Sequence, residues 1–340
     1  MKHNIKITII LLSMFLAAQL IGLFVINFYE TSVEELPYGM EPPRECADGI
    51  DNDNDGFIDY PSDNGCSSKQ DLSELENDDI RFLLYTLFAF ALAITLFFIL
   101  TKVNAEKFIR LWFFAVTTIA IGLTTNVVLI LLMRNPPNPY EYISFIALAI
   151  ALPLAYFKIF KRNLWVHNFT ELLIYPGISA VFVPILGVLG IILLLLAISL
   201  YDIWAVWHSE FMQNLAKYQM NKLKFFTGFF IPYAGKEARQ KIKLLKEKYK
   251  NQKSLEKGLR KAKIKVNLAI LGGGDIIFPI ITAGIFLKYQ GLLSALLITA
   301  SATLGLLFLF ILARKGKFYP AMPFLTIAMY LGMMLGWLIF

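Results

Sequence analysis

The chain has 340 residues, 57% of them hydrophobic and 14% aromatic, with 17% charged and a mean hydropathy of +0.60. This balance excludes a soluble globular domain and a disordered chain, and it implies a multi-pass membrane protein. The net charge of +7 sits mainly beside apolar runs, where anionic lipid headgroups are the expected contact, so no nucleic-acid partner is inferred.

A window of about 20 apolar residues, the length that crosses the hydrocarbon core, fits nine times, at 6–28, 81–101, 111–133, 142–160, 164–182, 184–207, 266–287, 291–313 and 320–340. The first run follows Met1-Lys2-His3 and is too long for the apolar region of a signal peptide, so it reads as a retained helix. Glu171 and Pro176 interrupt the fifth. Of 25 acidic residues, 16 lie between Glu30 and Asp79, whereas 208–265 holds 16 Lys and Arg against four Glu. The positive-inside rule then puts the N-terminus in the cytoplasm. Lys102, Lys107, Arg110, Lys161, Arg162, Arg314, Lys315 and Lys317 fall inside with the 208–265 stretch, and Arg44, Lys69, Arg134 and Lys288 outside. The expected fold is an all-α, nine-span protein, N-in and C-out. It divides into the first helix (1–28), an outer loop (29–79), helices two to six (80–207), a cytoplasmic loop (208–265) and helices seven to nine (266–340).

The outer loop is acidic and contains both cysteines, Cys46 and Cys66. An even cysteine count on the outer side favours one disulfide. Between them runs Asp51-Asn52-Asp53-Asn54-Asp55-Gly56-Phe57-Ile58-Asp59. Calcium takes six to eight hard oxygens, which alternating acids before a glycine turn can wrap around one ion. Asp51, Asp53 and Asp55 would supply side-chain oxygens, Phe57 a carbonyl and Asp59 a direct or water-bridged oxygen. The twelfth position is Ser62 rather than Glu, which leaves Asp63 or another nearby carboxylate as the substitute. The segment resembles the disulfide-clipped, aspartate-rich calcium modules of microbial surface proteins; the plainer reading is a solvated acidic loop.

The cytoplasmic stretch begins with an apolar patch, Phe225-Phe226-Thr227-Gly228-Phe229-Phe230-Ile231-Pro232, too short to span and expected in the bilayer interface. From Lys236 to about Lys263 it reads as a basic helix held against the inner leaflet.

Two acids stand inside apolar runs: Asp202 in ILLLLAISLYDIWAVW and Asp275 in NLAILGGGDIIFPIITAGIFL. An ionisable group in a span is costly and marks a functional site whose partner must be named. At about 1.5 Å per residue, Asp202 lies about 9 Å and Asp275 about 14 Å from the cytoplasmic ends of their runs, so antiparallel neighbours would bring them together. Two adjacent carboxyls share one proton, the working state of an aspartyl protease, in which one member is base and the other acid. Gly272-Gly273-Gly274 weakens the helix before Asp275 and permits close backbone approach, although small residues also pack helices. Pro320-Ala321-Met322-Pro323 fixes an irregular, carbonyl-exposing entrance or a simple helix start.

These residues resemble the presenilin and signal peptide peptidase superfamily of intramembrane aspartyl proteases. Tyr201-Asp202 matches its Tyr-Asp in the sixth helix, Gly272-Gly273-Gly274-Asp275 its Gly-x-Gly-Asp in the seventh, and Pro320-Ala321-Met322 its Pro-Ala-Leu before the ninth, with Met for Leu. The resemblance covers about 80–340, in the presenilin orientation. It implies Asp202 and Asp275 as catalytic, and Tyr201, Gly272, Gly274, Pro320, Ala321, Met322 and Pro323 around the substrate. It implies no catalytic cofactor, and transmembrane segments of other proteins as substrates in a cell membrane. Composition and loop look archaeal, so the single-chain archaeal homologues are the nearest comparison and no obligatory partner subunits are inferred.

No His-Glu-x-x-His or Gly-x-Ser-x-Gly occurs, and His3, His167 and His208 read as packed or interfacial residues. Glu171 reads as a capping or polar packing residue. Asn168-Phe169-Thr170, a formal glycosylation sequon, is discounted because it lies in a membrane-bound run. The alternatives are a prepilin-peptidase-like protease, and a transporter carrying protons on paired intramembrane acids; the absence of an inverted repeat weighs against the latter.

Overall fold

The computed structural model describes residues 5–34, 88, 92, 95, 96, 105–133, 141–161, 163–207, 227–233, 240, 244, 267–313 and 319–339. Eight helices lie among them: α1 (Ile5–Glu34), α2 (Glu106–Leu132), α3 (Glu141–Phe160), α4 (Leu164–Phe182), α5 (Val188–Trp207), α6 (Gly273–Gln290), α7 (Leu292–Leu312) and α8 (Met322–Ile339). Six of these, all but α4 and α6, are long and apolar enough to cross a membrane. Phe88, Leu92, Thr95 and Leu96 of the expected second span are helical, as are Gln240 and Leu244 of the basic stretch. Cys46, Cys66 and the calcium-type residues Asp51, Asp53, Asp55, Phe57, Asp59 and Asp63 lie outside the described residues.

The all-α expectation needs correction. Gly228–Tyr233 and Asn267–Gly272 form strands β1 and β2, paired antiparallel from Gly228 opposite Gly272 to Tyr233 opposite Asn267. The patch expected to lie in the interface is thus partly a strand, with Phe229 fully buried against Tyr175 at 5.5 Å between ring centroids. The span expected from 266 begins instead at Gly273, because Asn267–Gly272 is extended. Alternation is hidden in that segment, since an apolar run reads alike as buried strand or helix. Helix α1 continues to Glu34, past the expected end at 28.

Helix α6 is the hub. It packs on α1, α4, α5, α7 and α8, and every residue from Pro279 to Leu287 is buried. Close approach depends on glycine: a Cβ on Gly22 of α1 would collide with Ile280, and one on Gly284 would stand 2.7 Å from Ile26 and 2.8 Å from Val183. On its far side a Cβ on Gly177 of α4 would overlap the Ala120 carbonyl oxygen of α2. Gly291, at φ 83°, closes α6 and opens α7 in one residue, a conformation that favours glycine. Helices α7 and α8 interlock through Gly305 against Ala328 and Gly336 against Ser294.

Candidate active site

Asp202 is half-buried on the last turns of α5, and a row of polar contacts ties that helix to α8. Tyr330 donates its hydroxyl to the Ile192 carbonyl at 2.6 Å, and Ser199 and Thr326 share a hydrogen bond of 2.7 Å. Next along the row, the Met322 backbone N–H donates to Asp202 Oδ2 at 3.0 Å. Residues 192, 199 and 202 lie near one stripe at helical spacing, which lets an antiparallel partner meet all three. Helix α8 begins at Met322, so the N–H that meets the acid is one that has no partner within the helix. Pro323 sits in that same turn, where a missing N–H costs no helical bond.

Asp275 stands in the first turn of α6, not deep within a helix as the sequence suggested. The chain arrives extended in β2, turns at Gly272 (φ −65°, ψ 147°) and enters the helix at Gly273. The Asp275 carboxylate folds back on Gly272. A Cβ on Gly272 would stand 3.1 Å from Asp275 Oδ2. One on Gly273 would touch Tyr175 at 3.4 Å, whereas Gly274 is exposed and would meet only Phe278, at 3.8 Å. The glycines therefore make a strand-to-helix junction rather than a weakened helix. Four residues on, Pro279 has no N–H, so the Asp275 carbonyl lacks its usual helical donor. Helices α5 and α6, which carry Asp202 and Asp275, pack against each other.

A third group, which sequence reasoning did not assemble, lies along the outer edge of β1. His167 Nε2 meets the Gly228 carbonyl at 2.8 Å, and the Gly228 N–H donates to Glu171 Oε1 at 3.3 Å. Asn168 bonds both backbone groups of Phe230, giving its Nδ2 hydrogen to the carbonyl at 2.8 Å and accepting from the N–H at 3.0 Å. The His167 ring stacks on Phe230 at 4.5 Å. Glu171 is in turn ion-paired with Lys158 of α3; their side chains are 1% and 2% exposed. Glu171 is thus polar packing rather than a cap, and Asn168 is occupied by β1. A signal was present in the sequence: a lysine and a glutamate of opposite charge in consecutive apolar runs.

Tyr201 is 38% exposed and neighbours Trp204; Pro320 is buried and Ala321 half-buried. A cavity of about 180 Å³ is bordered by Lys158, Glu171, Tyr175, Thr227, Gly273 and Gly274. A larger one of about 340 Å³, lined by apolar groups of α5, α6 and α8, opens on the opposite flank of α6. Neither is lined by Asp202 or Asp275. Among the described residues no cluster of three or more His, Cys, Asp or Glu is placed to hold a metal.

The family model described as signal-peptide peptidase, presenilin aspartyl protease matches residues 67–340. No curated protein matches the chain. Among solved structures, a presenilin family intramembrane aspartate protease in space group C222 superposes with a TM-score of 0.55 at 15% identity, over 98% of this chain and 99% of that one. One in space group P2 does so with a TM-score of 0.53 at 16% identity, over 97% of both.

Proposed function

Because the chain belongs to the signal-peptide peptidase, presenilin aspartyl protease family, we propose that Asp202 and Asp275 are its catalytic pair and that it hydrolyses peptide bonds within transmembrane segments of other membrane proteins. The observation that supports the assignment is the placement of the two acids on packed helices of one multi-pass protein, Asp202 near the end of α5 and Asp275 at the start of α6. With one proton between them, the ionised carboxylate removes a proton from water as the oxygen attacks the scissile carbonyl carbon. The protonated carboxyl gives its proton to the carbonyl oxygen, and the resulting diol collapses as the amide nitrogen is protonated and the C–N bond breaks.

A helical substrate hides its carbonyl, so it must be received as an extended strand. The sheet suits this. Phe230 turns both backbone groups toward Asn168, so its partner Ile270 directs its own N–H and C=O away from β1 by the alternation of antiparallel pairs. Among the described residues β2 pairs only with β1, which leaves the edge at Leu268 and Ile270 for an incoming strand leading to Asp275. Gly274, exposed and with only Phe278 near an added Cβ, would admit that backbone, and Pro320-Ala321-Met322-Pro323 would border it beside Asp202, with Tyr201 alongside.

The remaining readings belong with this proposal: nine spans, N-in and C-out, in a cell membrane; the five-part division of the chain; no obligatory partner subunits; and an outer loop closed by Cys46 and Cys66 around calcium. Calorimetry of the full-length protein tests the loop, since absence of calcium-dependent heat at about millimolar concentration, the weak end for extracellular modules, removes it. For the activity, purified protein in liposomes is incubated with a helical transmembrane peptide and fragments are followed by mass spectrometry. Cleavage by the wild type, abolished by Asp202→Ala and by Asp275→Ala separately, is expected; cleavage surviving either substitution overturns the pair.

A further inference from the structure

The Lys158–Glu171 ion pair is not used by the chemistry above, yet it is almost completely buried between α3 and α4. A buried ion pair is a poor device for stability, because desolvation offsets its attraction. Its placement is informative instead. The Glu171 oxygen that meets Lys158 also receives the Gly228 N–H, Gly228 is the register partner of Gly272, and Gly272 lies against the Asp275 carboxylate, a Cβ there standing 3.1 Å from Oδ2. Three contacts therefore link a fixed charge on α4 to the acid on α6. Gly228 adopts φ 139°, a left-handed conformation that favours glycine, at the point where Glu171 and His167 take hold of it. Two residues along, Asn168 satisfies both outward groups of Phe230, and two further on Pro232 has no N–H to satisfy. Side chains from α4 thus stand where a third strand would, and the outer edge of β1 is closed while that of β2 is left unpaired among the described residues.

We propose that Glu171, fixed by Lys158, and Asn168 are positioning residues: they form a side-chain strand along β1 that sets the place of Asp275 through the Gly228–Gly272 pair. This rests on Asp275 being catalytic. Neither residue touches substrate; their effect is on the alignment of the acid, and hence on kcat rather than on substrate binding.

The test compares two double variants, Lys158→Met/Glu171→Gln and Lys158→Met/Glu171→Leu. Both remove the two charges and keep the volume, so their thermal midpoints should be close to each other. They differ in the acceptor offered to the Gly228 N–H. On a transmembrane peptide in liposomes the Gln variant is expected within about threefold of the wild-type kcat, and the Leu variant at least about tenfold below the Gln variant, with KM within about twofold. The cut positions, read by mass spectrometry, should spread over neighbouring bonds in the Leu variant. Equal kcat and equal cut positions in the two variants overturn the proposal, as does a change confined to KM. Should either fail to accumulate as folded protein, Asn168→Ala decides at a temperature where it stays folded, with a lowered kcat at unchanged KM expected, and a wild-type kcat overturning it. Failure of the underlying reading looks different: then the wild type itself cuts nothing, or Asp275→Ala cuts as well as the wild type.

Discussion

The hydrogen bond from the Met322 backbone to Asp202 can be removed without touching either carboxylate. Met322 is the first residue of α8, where proline is tolerated because the N–H has no partner within the helix. Its N–H is instead spent on Asp202 Oδ2 at 3.0 Å. Met322→Pro deletes that donor and puts a ring carbon in its place, so the carboxylate must move away. It also truncates a side chain that is 4% exposed, a loss shared by Met322→Ala, which keeps the N–H. The ratio of the two variants therefore isolates the hydrogen bond. A bond to an ionised group is worth about 1.5–3 kcal/mol, which at about 1.4 kcal/mol per decade corresponds to a kcat about 10- to 150-fold lower for Pro than for Ala. Met322→Leu conserves volume, should cost less than about 1.5 kcal/mol of stability, and should cleave near the wild-type rate. The assay is initial cleavage of a transmembrane peptide in liposomes, with thermal midpoints measured alongside. Equal kcat for Pro and Ala at equal folded fraction would refute a role for this N–H in holding Asp202.

Two glycines should separate folding from substrate approach. Gly177→Ala drives a methyl into the Ala120 carbonyl of α2, where backbone leaves little room to yield, and should lower stability by about 1–3 kcal/mol or more, seen as a reduced thermal midpoint in detergent. Gly274→Ala meets only an ordinary contact with Phe278 at 3.8 Å, so the midpoint should be unchanged. Its kcat/KM should nevertheless fall at least about tenfold if a substrate backbone passes over it, about 1.4 kcal/mol of lost transition-state binding; an unaltered rate shows that the space is not used.

Much of the framework was legible from apolar run length alone. The run at 164–182 coincides with α4, and 111–133, 142–160 and 291–313 come within a few residues of α2, α3 and α7 at either end. Asp202, Asp275 and the Pro320–Pro323 stretch were found because acids and irregular prolines are anomalous in such runs. The β-hairpin was not legible, because Asn267–Gly272 continues without a break in hydropathy into a buried helix, and its partner β1 lies more than thirty residues upstream. That miss also displaced Asp275, which counting along a helix put well inside the membrane run and the sheet puts at a helix start. Lys158, His167, Asn168 and Glu171 were each visible as polar residues. What no pattern on one chain conveys is that three side chains of one helix meet the same strand and that a fourth, on a second helix, holds one of them.

The hairpin in turn explains why α4 and α6, alone among the eight helices, fall short of the apolarity of a free membrane span although neither is shorter than α8. Extended backbone at membrane depth is tolerated only where it is buried in protein or lines a water-filled cavity. The groups that satisfy it have to come from neighbouring helices, which must then be shielded from lipid themselves. His167, Asn168 and Glu171 on α4 serve β1, Lys158 on α3 serves Glu171, and Gln19 on α1 donates to the Ile276 carbonyl at 3.0 Å, one residue past Asp275. These polar contacts gather around the segment that carries Asp275 on one side, and along the α5–α8 row that carries Asp202 on the other. The two acids have separate supports, α4 through the sheet and α8 through its first turn. A perturbation of either support should change the alignment of one aspartate while leaving the other in place.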